Sequence, residues 1–111
     1  MTNKKMENFI YMKAMHTDVY KAYESFGQAV HEKGGPIDEK NRWLIKVAIS
    51  ASQQYPFALR THIHKALSAG CTRREVEHAI LLVAPTAGFP KAMEGLMILR
   101  DELDNDASEE E

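Results

Sequence analysis

"PFALRTHIHKALSAGCTRREVEHAILLVA", residues 56–84, decides the fold. Its apolar residues recur at helical spacing twice, with a turn between. In the first half Leu59, Ile63, Ala66 and Leu67 share one face. Pro56 suits the first turn of that helix, where a missing amide is no loss, and Gly70 suits the residue just past its end. Thr72 and Glu75 then form a capping box, in which hydroxyl and carboxylate satisfy each other's orphan amides. The second half sets Val76, Ala79, Ile80, Val83 and Ala84 on one face. Pro85 removes a backbone donor and is expected to kink or end that helix.

Upstream, RWLIKVAISAS (residues 42–52) places Arg42, Lys46 and Ser50 at every fourth position, and nearly everything else is apolar or small. A helix that is apolar on most of its circumference is surrounded by protein. This segment, opening near Asp38, therefore reads as the central helix. Gly34-Gly35-Pro36 stops the helix before it, whose stripe is Val19, Ala22, Tyr23, Phe26 and Ala29. FIYMKAM (residues 9–15) precedes that one as a separate helix or an extension. Downstream of Gly88 a last helix is expected near Pro90, with Phe89, Ala92, Met93, Leu96 and Met97 inward. No segment alternates with a period of two. The expectation is an all-α bundle of about five to six helices in a single domain over 1–103. The acidic tail 104–111 has nothing to bury and is expected to be disordered.

The totals narrow the function classes. The chain has 111 residues, 44% of them hydrophobic, and a net charge of -2. That charge exerts no broad pull toward nucleic acid or an anionic membrane. No apolar stretch approaches the ~20 residues that span a bilayer. The lysine-bearing start has no apolar h-region, so no secretory signal is read and a cytoplasmic location is the default. A single cysteine excludes an intrachain disulfide and a dithiol mechanism within one chain.

His62 and His64 invite a metal reading, which geometry rejects. Two positions on a helix turn roughly 200°, leaving the two side chains about 160° apart. Neither has a His, Asp or Glu four residues away on that helix, so no metal is expected. His62 lies on a flank with Ala58, Ala66 and Ala69, where another helix can approach closely or a small cavity can remain. It reads either as an acid/base group or as a hydrogen-bonded core histidine. His64 faces the other flank, with Arg60, toward solvent. Cys71 reads as a small turn residue.

The order IDEKNRWLIKVAISAS, a short break, then ALRTHIHKALSAGCTRREVEHAILLVAPTAGFPKAM resembles the carboxymuconolactone decarboxylase and alkylhydroperoxidase D-like superfamily. The resemblance covers about residues 26–96. It implies an alkylhydroperoxidase D-like helical fold and subunits assembled as trimers or hexamers, with pockets near subunit contacts. The redox branch of that superfamily carries Cys-x-x-Cys, a histidine four residues later and a glutamate on the preceding helix. Here the cysteine positions fall on Tyr55 and Ala58 and the glutamate position on Trp43; only His62 remains. The resemblance thus points away from thiol peroxidase chemistry and toward the branch lacking the motif. That branch removes carbon dioxide from a carboxylated lactone without metal or organic cofactor. It implies His62 as the acid/base. Trp43, Tyr55 and Arg60 are the candidate substrate-binding residues, with Lys65 and Arg42 as further candidate cations. The alternative is a non-catalytic oligomer that binds a small ligand or a protein partner.

Overall fold

The computed structural model describes residues 4–109. Seven helical segments follow in order: α1 Lys4–Met15, α2 Thr17–Lys33, α3 Glu39–Ser52, α4 Pro56–Ser68, α5 Arg73–Leu81, α6 Val83–Ala87 and α7 Phe89–Glu109. Among the described residues there is no strand, and α6 is little more than one turn. The all-α reading holds.

The chain forms two compact units, Met1–Pro36 and Ile37–Glu111. The join falls on Gly34-Gly35-Pro36, two residues without side chains and one without an amide. In the first unit α1 packs on α2, and α2 has no buried residue.

In the second unit α3 packs against α4, α5, α6 and α7, so it is central as expected. The core is Val47, Ala51, Leu59, Ile63, Val76, Ile80, Val83, Ala92 and Leu99, with Ala66, Cys71 and Ala79 beside them. Each fully buried Leu, Ile or Val contributes about 1.5–3 kcal/mol relative to leaving it in water. The polar strip of α3 does not all face outward: Ser50 is buried, whereas Ile45 and Ile49 are exposed. Burying a hydroxyl without a partner is costly, and its partner is described below.

The capping box forms as expected. Glu75 N–H donates to Thr72 Oγ1 at 3.1 Å, and Thr72 N–H donates to Glu75 Oε1 at 2.8 Å. Pro85 acts earlier than its own position. It lacks the N–H that would reach the Leu81 carbonyl four residues back, so α5 ends at Leu81 and Pro85 sits in the first turn of α6. Gly88, at φ +128, then makes a turn that side chains disfavour.

One expectation for the C-terminal part is corrected. Phe89, Met93 and Met97 are exposed, and the inward face is Ala92, Gly95 and Leu99. The reason is Gly95: a Cβ there would lie 2.9 Å from Ile80 Cγ2 and 3.3 Å from Ala51 Cβ. Its bare backbone is what brings α7 down on α3 and α5. Helix α7 takes in Asp104 and ends at Glu109. Arg73 Nη1 donates to Asp104 Oδ1 at 2.7 Å, which fastens that turn to the start of α5. Residues 110–111 lie outside the described residues.

Candidate active site

His62 projects from the middle of α4 onto α3. The helical wheel accounts for this: Leu59, Ile63 and Ala66 point into the core, and position 62 lies on the flank beside them. Its Nδ1 lies 2.6 Å from Ser50 Oγ and 3.2 Å from the Lys46 carbonyl oxygen. A carbonyl oxygen only accepts, so its approach to Nδ1 favours the tautomer with the proton there. The basic lone pair then belongs to Nε2. Ser50, only 2% exposed, finds its hydrogen-bond partner in the same ring nitrogen, donor and acceptor being set by the tautomer.

Trp43 and Lys46 complete the group. The Trp43 ring centroid is 5.7 Å from that of His62, tilted by 42°. Lys46 Nζ stands 4.9 Å from the Trp43 ring centroid, a cation–π distance. Burial lowers the Lys46 pKa below its ordinary value. An imidazole, an aromatic face and a half-buried cation thus share one stretch of the α3–α4 groove. Such a set can move a proton and hold an anion.

The sequence-derived candidates divide accordingly. Trp43 is beside His62. Tyr55, half exposed at the start of α4, lines a recess that shares Ser50 with the His62 site. Arg60 is elsewhere: its Nε lies 3.5 Å from Glu102 Oε2 on α7, and its guanidinium covers Phe57. His64 joins that cluster, with Nε2 2.9 Å from Glu102 Oε1. The two histidines therefore face different helices, as the angle between them requires. Arg42 donates through Nη1 to the Ile37 carbonyl at 2.7 Å, and its Nε is buried without a hydrogen-bond partner among the described residues.

Sequence reasoning missed Ser50 and Lys46 as neighbours of His62. The signal was present in the strip Arg42, Lys46, Ser50. What was lacking was the rotation of α3 that turns this strip toward α4. Among the described residues no group of three His, Cys, Asp or Glu converges as a metal site. Cys71 is 5% exposed, its Sγ 3.6 Å from the Lys40 carbonyl. Burial first, then Glu75, raises the thiol above its ordinary value. A reactive thiol needs the opposite shift.

The model of one family, the carboxymuconolactone decarboxylase family, matches residues 17–101. The chain belongs to that family. The match runs from the start of α2 into α7 and takes in every residue of the His62 group. No curated protein and no solved structure matches the chain significantly. Membership of the carboxymuconolactone decarboxylase family covers both decarboxylase-like and alkylhydroperoxidase-like proteins at this level. No helix among the described residues is long and apolar enough to cross a membrane.

Proposed function

We propose that this chain is a cofactor-free lyase that acts on a small carboxylated lactone or related acid, with His62 as its acid/base. One observation carries the reading: an imidazole held through Nδ1 at Ser50 and the Lys46 carbonyl lies next to an aromatic ring and a half-buried cation. In the reaction the bond to the departing carbon dioxide breaks. Its electron pair passes into the conjugated lactone, and protonated His62 delivers a proton to the carbon that receives it. The ring regains its proton from water. Lys46, standing over Trp43, replaces Arg60 as the cation proposed to hold a carboxylate, because Arg60 already pairs with Glu102.

The test is His62→Gln, whose amide can still donate to the Lys46 carbonyl. Loss of a general acid/base lowers turnover about 10²–10⁴-fold. An unchanged rate of lactone consumption ends the reading. Thiol peroxidase chemistry through Cys71 is disfavoured by the buried, raised thiol.

A second reading, a non-catalytic oligomer that binds a small ligand or protein, draws on the exposed apolar side chains Ile45, Ile49, Met93 and Met97. Self-association as a trimer or hexamer and a cytoplasmic location belong to both readings as proposals. Lactone decarboxylation above the buffer rate counts against the second.

A further inference from the structure

Among the described residues of the first unit, Met1–Pro36, none is buried. Units shorter than about 40 residues usually need a disulfide, a metal or association to stay folded. The one cysteine of the chain, Cys71, lies outside this unit. Along α2 the side chains Val19, Tyr23, Phe26 and Val30 follow at intervals of four, three and four residues. That is the spacing of a seam between two paired helices. All four are more than half exposed, from 54% at Val30 to 66% at Phe26.

We propose that α2 pairs with α2 of a second copy of this chain, antiparallel, about a two-fold axis that passes between Tyr23 and Phe26. Charge selects both the occupant and the direction. Asp18 stands in the first turn of α2, and His31 and Lys33 stand in its last. Antiparallel helices bring the acidic turn of one copy beside the basic turn of the other, with their dipoles opposed. Parallel helices would set like charge beside like. The seam agrees. About this axis Val19 of each copy meets Val30 of the other, and Tyr23 meets Phe26, so aliphatic faces aliphatic and ring faces ring. Shape agrees as well. On one flank of the seam Tyr20 of each copy comes opposite Gly27 of the other. A Cβ at Gly27 would meet nothing within 4 Å, so the bare backbone leaves room for the tyrosine ring. Inside a helix a glycine otherwise only weakens it. The contact is isologous, so it makes the number of copies even. It is separate from the self-association drawn from Ile45, Ile49, Met93 and Met97, which belong to the second unit, and it rests on no reading of His62.

Full-length Val19→Cys and Val30→Cys chains test the pairing. They are refolded together from urea, one to one, and treated with a short bismaleimide; the native chain, with only its buried Cys71, is the control. The mixture is expected to give about fivefold more covalent dimer than either variant alone, because the two copies of residue 19 stand eleven positions, ~16 Å, apart along the axis. Equal cross-linking by each variant alone means parallel helices and overturns the proposal. No cross-link in the mixture gives the face to another occupant and overturns it too. The double change Tyr23→Lys with Phe26→Lys is expected to halve the mass in sedimentation equilibrium, with the fluorescence of Trp43, the single tryptophan, unchanged. An undiminished mass also overturns the pairing.

Discussion

Lys46 shows what half-burial does to a cation. Its ammonium is drawn out of water over Trp43, and desolvation lowers its pKa from 10.5. Between that lowered value and 10.5 the unfolded chain holds the proton that the folded chain has released. Stability rises with pH wherever the unfolded state binds more protons, so in that window this group alone makes folding more favourable as pH increases. Urea unfolding of the native chain and of Lys46→Met at neutral pH and near 10 checks the sign. The native chain is expected to gain on the variant at the higher pH. Cys71 carries the opposite kind of shift, with its thiol raised by burial. Alkylation of the folded chain at pH 8 is expected to run at least about tenfold slower than that of the urea-unfolded chain, since the thiolate is the reactive form. Equal rates in the two states contradict the burial. At this scale the flank of His62 was legible, because 100° per residue settles which side of α4 it occupies. Its partners were not. Ser50 and Lys46 belong to another helix, and no local rule says which way that helix is turned.

Elements were easier to read where they carry their own stop signals. Thr72 with Glu75, Pro56 and Gly70 act through their own backbones and nearest amides, so α4 and α5 emerged with their starts in place. The face of α7 was not legible in the same way. Large apolar residues at Phe89, Met93 and Met97 suggested one stripe, whereas packing selected the stripe through Gly95. Apolar periodicity reports which faces can be buried; close approach of backbones decides which one is. Gly95→Ala tests this. The added methyl must displace Ile80 Cγ2 and Ala51 Cβ, neither of them at the end of a flexible side chain. Overpacking of this kind costs about 1–3 kcal/mol, offset by a helix-propensity gain of up to ~1. A net loss of stability in thermal unfolding is expected. A gain shows that α7 is not held this close.

For the whole molecule, the family match crosses the join between the two compact units, from Thr17 to Asp101. Composition and spacing could not show that join as a boundary, because a glycine pair and a proline end helices inside domains as readily as between them. Ile45, Ile49, Met93 and Met97 are each about half exposed in the single chain, a pattern that suits burial against further copies. Sedimentation equilibrium is expected to give a mass of three or six copies of the 12.6 kDa chain. The double change Ile49→Lys with Met97→Lys is expected to lower that number without loss of helical circular dichroism. A native chain that sediments as a monomer refutes the assembly. The oxygen that orients the His62 ring comes from the main chain at position 46, and every amino acid supplies one. Across descendants of this gene the side chain there can drift without erasing that instruction. Only an insertion, a deletion or a residue that breaks the coil of α3 removes it.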